Sequence, residues 1–517
     1  MKRLRKFRWV ALGLAVFLSV NLLSFGFPLG VQSKLPPAPS QTSSQTPGSA
    51  WKNSNLPSLE EVFQLAQDPD QAQLQRLAEG DRLYREGNVS GAEQVYREVK
   101  PSYASTVGRN NDVPEPVYDA DQLGGAARVY WREAQAGFEQ KMQSRLFTAL
   151  EQLVKDYPQF IPGHLLLVDA LNQYDRQEEA IAALERATNL YPNEPSLIAA
   201  EIKVLADDKQ WLEASISARQ FALLFPEHEK AGEFSKIADA YLKKYQGGMK
   251  RKLIGQAILS GAINIGDYLL TGNAAGGIPT LQLTMLLLQG ESSFGKQFSE
   301  AYKQEYRSRK MLVEDSQILE YVDTLGQKVA KLMGRDEFEY EFNVIADNSL
   351  NAFALPGGKI FIHTGALMQL NSEAELVGLI GHEVGHAVLS HGYQRIAKGT
   401  LLSNLNRVLP LGDVIAELLN RAYSRQNERQ ADILGTRVLA GTKYAADGVR
   451  NVMVRLDKLY GDKAPPPWLS THPPSAERVR YLEEMIVENN YNPYAYEGID
   501  ELAAIKSRIK EIIPEKA

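Results

Sequence analysis

The sequence predicts two folded parts in series, an all-α domain of helical repeats and then an α+β domain. Three observations lead there. A Pro-containing turn recurs every 34 residues in "DYPQF", "LYPNE" and "LFPEH", at Pro158, Pro192 and Pro226. From about residue 300 the pattern mixes helical segments with short alternating ones. The stretch "GLIGHEVGHAVLSHG", residues 378–392, is apolar, helical in pattern, and holds three of the chain's seven histidines.

At 517 residues there is room for two or three domains. A formal net charge of -6 offers no electrostatic footprint for nucleic acid. With no cysteine, disulfides, thiolate metal sites and cysteine nucleophiles are all excluded. The chain opens on the basic "MKRLRKFR", followed by an apolar run from Trp9 to Leu23. Residues 1–33 therefore read as a signal peptide, with Val31 and Ser33 as a small-residue cleavage site, or as an N-terminal membrane anchor if "SFGFPLGV" extends the span. Both readings export the rest of the chain, to the periplasm or cell envelope, and leave the basic end in the cytoplasm. Residues 34–57 are rich in Pro, Ser, Thr and Gln and read as a linker.

Residues 58–245 are expected to form the helical repeats. Besides the prolines, Ala180 and Ala214, Leu184 and Ala218, and Ala187 and Phe221 coincide at the same interval. A 34-residue period with small residues in the second helix resembles the tetratricopeptide repeat, which presents a concave surface to a protein partner. An earlier unit, with Gly80, Gly87, Ala92 and Tyr96, has the same character but is out of register. Residues 246–300 form an apolar helical lead-in. Asn264 and Asp267 interrupt it, and an Asp at mid-bilayer is costly. It reads as a buried helix, or one lying on a membrane or over a cleft.

Residues 301–488 carry the α+β domain, and 489–517 a C-terminal helical tail. "EYEFNVIA" alternates through Phe342, Val344 and Ala346 as a half-buried strand does. "PGGKIFIHTG" is a turn leading into a strand at Ile360 to Thr364.

Ser372 and Glu375 make a capping box that starts a helix through the histidine-rich stretch. His382 and His386, four apart on that helix, share a face and can take two sites of a tetrahedral zinc. Glu383 between them can reach a zinc-bound water as general base, the H-E-x-x-H arrangement. The helix is apolar on most sides, and buried imidazoles need partners, which a metal provides. One pattern adds a third His six residues after the second; here Gly392 stands there, so that class is excluded. His391, five past His386, points away from the ligand face and reads as a helix-end histidine or one that backs a ligand. The other pattern takes a Glu from a later helix. In "RAYSRQNERQADILGTRVLAG", Glu428 fits as third ligand, and Asp432, one turn on, fits as acceptor from a ligating imidazole.

Four ordered motifs, "NAFALPGGKIFIHTGAL", "GHEVGHAVLSH", "SRQNERQADILG" and "STHPPSAERV", resemble the HtpX and CAAX-prenyl-endopeptidase-like gluzincin zinc metallopeptidases, peptidase family M-48, over residues 301–485. Envelope members that join this peptidase to tetratricopeptide repeats carry the repeats after it, whereas here they precede it. The resemblance implies a zincin-like fold with one zinc on His382, His386 and Glu428, and Glu383 as base. It adds His472, which either donates to the substrate oxyanion or occupies the open zinc position, and Arg478 in its support. It also makes the strand "KIFIHTG" the edge to which an extended peptide adds, with His363 on it an ordinary strand residue. The expected activity is that of an exported zinc endopeptidase in envelope protein quality control, its repeats recruiting protein substrates or a partner. The rival is a non-catalytic repeat scaffold or chaperone with a structural metal site.

Overall fold

Between residues 125 and 224 the 34-residue recurrence is written into the backbone turns. The computed structural model describes residues 71–103, 114–191, 194–259, 277–279, 287, 289–401, 408–410, 422–460, 466–473 and 476–513. The expected leader and linker, Pro192, Asn264 and Asp267 lie outside them. Helices α1 (Gln71–Arg85) and α2 (Val89–Val99) come first. Then follow α3 (Gly125–Glu139), α4 (Gln143–Asp156), α5 (Ile161–Gln173), α6 (Gln177–Leu190), α7 (Pro195–Asp207), α8 (Trp211–Leu224) and α9 (Ala231–Leu259).

Lys141, Asp175 and Lys209 join α3 to α4, α5 to α6 and α7 to α8, and each has a positive φ, of 55°, 55° and 61°. After each, an N–H turns back to a helix carbonyl: Met142 to Gly137 at 2.8 Å, Arg176 to Leu171 and Gln210 to Leu205 at 2.9 Å. That closure ends one helix and reverses the chain into the next. Ala180, Leu184 and Ala187 on α6, and Ala214, Ala218 and Phe221 on α8, are all fully enclosed. The coinciding positions are the seam along which the hairpins pack.

The α1–α2 hairpin uses the same closure at Gly87, where φ is +82°, but out of step with the others. Its contacts lie elsewhere. Buried Asp81 accepts from the backbone N–H groups of Glu497 and Ile499, both at 2.8 Å, and from the Tyr96 hydroxyl at 2.7 Å. The Lys100 ammonium is enclosed between Asp447, at 2.8 Å, and Glu497. This hairpin clasps the C-terminal end of the chain.

The second half contains α10 (Glu291–Ser308), α11 (Ser316–Lys331), β2 (Glu341–Ile345), β3 (Ala352–Leu355), β4 (Lys359–His363), α12 (Thr364–Gln369), α13 (Glu373–Val388) and α14 (His391–Leu401). Then come α15 (Arg425–Ala440), α16 (Gly448–Tyr460), the short α17 (Pro467–Thr471), α18 (Ala476–Glu488) and α19 (Ile499–Ile512). Two three-residue strands, β1 (Gly277–Pro279) and β5 (Val408–Pro410), pair antiparallel.

Two of the expected boundaries run through unbroken helices. Helix α9 continues past residue 245 to Leu259, and α10 spans residue 300. Nor is α19 a tail: Leu502, Ile505 and Ile509 belong to the largest apolar core.

In the three-stranded sheet β4 lies in the middle, parallel to β2 with Phe342 opposite Ile360, and antiparallel to β3 with Phe353 opposite Phe361. This corrects the expectation that "KIFIHTG" is an edge. Its N–H and C=O groups are used on both sides, so no peptide can add to it. Among the described residues β3 pairs on one side alone. It was not foreseen, because "AFAL" is buried throughout and shows no alternation. Ile360 and Ile362 face the largest core, against α13, while Phe361 packs in a second cluster with Phe294, Phe298 and Tyr302 of α10.

Candidate metal centre

Ser372 caps α13, its hydroxyl accepting from the Glu375 N–H at 3.1 Å. The Glu375 carboxylate returns to the Asn371 N–H at 2.6 Å, one residue before the usual capping-box partner. Every residue of α13 is buried. Glycines let a second helix come close: a Cβ on Gly381 would sit 3.1 Å from the Gly435 Cα of α15. That approach places Glu428, in the first turn of α15, over His382 and His386.

Four buried side chains converge: His382, His386, Glu428 and His472, the last held just beyond α17. The His382 Nε2 is 3.1 Å from both the His386 Nε2 and the His472 Nδ1. The Glu428 Oε1 is 2.9 Å from the His472 Nδ1 and 3.5 Å from the His386 Nε2. Zinc bonds of 2.0–2.1 Å in a tetrahedron separate their ligand atoms by roughly 3.3 Å. The donor chemistry and the spacing therefore fit a zinc ion.

Around these donors stands a set of supports. The His382 Nδ1 lies 2.9 Å from the Asp432 Oδ1. Arg478 reaches Asp432 with Nε and Nη2, both at 2.8 Å, and Glu428 with Nη1 at 2.7 Å. Its Nη1 also donates to the Pro473 carbonyl at 2.9 Å, beside His472. Arg478 thus stands behind the cluster and binds its carboxylates and the His472 loop. The Tyr481 hydroxyl donates to Asp432 as well.

Burial pushes the Glu428 carboxyl up, but the charges of His472 and Arg478 overcome this and hold it well below its ordinary value. Asp432 is likewise lowered, with Arg478 and His382 outweighing its burial. Burial drives His386 well down and His391 down to about 4. For His472, burial is outweighed by Glu428 and Glu383, and the imidazole is raised.

Glu383 sits beside the four donors. Its Oε1 accepts from the Trp468 indole N–H at 2.7 Å and is 3.6 Å from the His472 Nε2. Trp468 escaped the sequence reading, although it is one helical turn before His472 and so shares its face. Tyr423 also escaped; it stacks on His386 with ring centroids 4.0 Å apart. Glu383, Tyr423 and His472 line a small cleft with Asn351, Phe353, Ala354 and Thr471. The cleft is small, about 20 Å³.

His391 was expected to point away from the ligand face. It stays out of the four converging donors but backs one of them, because α13 ends at Val388 and Ser390, with a φ of +59°, turns the chain back. The His391 Nδ1 lies 2.9 Å from the His386 Nδ1, and its Nε2 is 3.0 Å from the Gln430 Oε1. His363 bonds to the Ser349 hydroxyl through Nδ1 at 2.8 Å and lies outside the cluster.

Residues 317–486 match Peptidase family M48. The human mitochondrial metalloendopeptidase OMA1 is 29% identical over 239 residues, 40% of this chain and 45% of that protein. The mitochondrial metalloendopeptidase OMA1 of Arabidopsis thaliana is 38% identical over 152 residues, 28% of this chain and 31% of that protein. The beta-barrel assembly-enhancing protease of Escherichia coli is 21% identical over 225 residues, 38% of this chain and 46% of that protein. The chain thus spans less than half the length of each of these relatives. The converged histidines and the match agree: this chain carries a Peptidase family M48 domain.

Proposed function

We propose that the chain is a zinc metalloendopeptidase that cleaves protein substrates. It is exported to the periplasm or cell envelope, where it serves protein quality control. The observation that carries the activity is the convergence of His382, His386, Glu428 and His472 with the Glu383 carboxylate alongside. Zinc held by His382, His386 and Glu428 would supply a Lewis acid to polarise the scissile carbonyl and acidify water. Glu383 takes the proton of the attacking water and delivers it to the leaving amine. Trp468 fixes one carboxylate oxygen, so the base keeps its aim. An extended substrate adds to the open edge of β3, whose Phe353 and Ala354 line the cleft. The hairpins of α3–α8 support a tetratricopeptide-like reading of that region and a role in recruiting substrate or partner. Among the described residues no helix is long and apolar enough to cross a membrane.

Purified chain is expected to bind about one zinc. It should lose hydrolysis of an unfolded protein on chelation and regain it with zinc. Activity that persists in zinc-free protein would refute the reading.

Of the two roles open to His472, its place among the donors favours the blocking one. As a fourth donor His472 would close the site, and catalysis would then need it to swing out. His472→Ala should keep zinc on the remaining three ligands and hydrolyse unfolded protein faster than the parent. Slower hydrolysis with zinc retained would assign His472 to the oxyanion instead.

A further inference from the structure

The two histidines of α13 are held from behind in different ways. His382 faces a carboxylate, Asp432, which is itself locked by Arg478 and Tyr481. Among the described residues no acid stands at the Nδ1 of His386. Its Nδ1 meets the His391 imidazole, and that ring meets the Gln430 amide, all three being buried.

We propose that His391 and Gln430 are positioning residues that set the tautomer and ring orientation of His386 as a metal ligand. This rests on the metal-centre reading above. A neutral imidazole has one donor and one acceptor nitrogen, so each bond in the chain dictates the next. The Gln430 Oε1 is an acceptor, which requires an N–H on the His391 Nε2. The His391 Nδ1 is then a lone pair and takes the N–H of the His386 Nδ1. That leaves the His386 Nε2 as a lone pair, directed at the His382 Nε2 and Glu428 in the cluster. Run in reverse, the chain would put a proton on the His386 Nε2, and it could not bind a metal.

The relay also ties three helices together. His386 lies in the last turn of α13, His391 opens α14, and Gln430 lies two residues beyond Glu428 on α15. Tyr423 holds the face of the His386 ring, so the relay has only its in-plane direction to set. A neutral relay suits this position. Glu383, Glu428 and Asp432 already crowd the site with three buried carboxylates, and a fourth would lack a cation to offset it.

The test uses the purified full chain and zinc affinity, read by competition with a chromophoric chelator. His391→Leu and Gln430→Met are expected to weaken zinc binding by about 10- to 100-fold. His391→Asn, whose amide oxygen can accept from the His386 Nδ1–H, should bind zinc close to the parent. Unchanged affinity in both His391→Leu and Gln430→Met overturns the proposal. So does an equal loss in His391→Asn and His391→Leu, which would mark a packing role. If circular dichroism shows His391→Leu unfolded, Gln430→Met carries the test alone, and parent-like zinc affinity in it overturns the proposal. No zinc bound by the unaltered chain would overturn the metal-centre reading itself, a different failure from the first.

Discussion

Replacing Glu383 by Gln is expected to leave zinc bound and to cut hydrolysis of an unfolded protein by about 10²- to 10⁴-fold. The carboxylate is enclosed, and its Oε1 is fixed by the Trp468 indole at 2.7 Å. Gln keeps the shape and can still accept from Trp468 through its amide oxygen. What it cannot do is take a proton from water. The two readouts separate chemistry from architecture: metal content reports His382, His386 and Glu428, while turnover reports Glu383. Parent-like turnover in Glu383→Gln would remove Glu383 as the base and favour a scaffold whose metal is structural.

Arg478→Leu should produce the largest loss of stability, about 3–5 kcal/mol in the zinc-free chain, because it strands charges inside the protein. One guanidinium serves both Asp432 and Glu428, each fully enclosed, and also holds the Pro473 carbonyl. Without it neither carboxylate has a formal cation at hydrogen-bond distance except the histidines they orient.

The pH dependence has a definite sign. Both carboxyls are held below their ordinary values in the folded chain. The stability they contribute is therefore complete above the unfolded carboxylate values of about 4 and is lost as pH falls through the lower folded values. Thermal unfolding of the zinc-free parent should show that acid limb, and Arg478→Leu should flatten it. A variant that melts within a degree or two of the parent at neutral pH would show that the clamp is dispensable. Zinc should partly restore the variant, since a metal on Glu428 replaces one of the lost cations.

Much of the centre was legible because helix geometry is local. His382, Glu383 and His386 need only their spacing on one helix, and Asp432 follows Glu428 by one turn on another. The 34-residue interval likewise reports a turn closed within six residues, and the seam positions from Ala180 to Phe221 follow from it. What failed was whatever depended on where a helix stops or what a strand pairs with. The direction of His391 away from the ligand face was read from helical spacing, when Ser390 reverses the chain and returns the ring to His386. β4 was taken for an edge because its own residues cannot reveal that β3, 4 residues long and buried on both faces, would pair on its far side.

Residue type and spacing by themselves therefore picked out the candidate donors and base on α13 and α15 and the helical period, since each is a property of one helix or one turn. Only the tertiary structure decided how those helices meet. It drew α15 onto α13 at Gly381 and Gly435, brought Trp468 to Glu383, and set Arg478 behind the carboxylates. These are contacts between segments tens of residues apart, governed by burial and close packing, and a periodic pattern carries no record of which partner fills the other side.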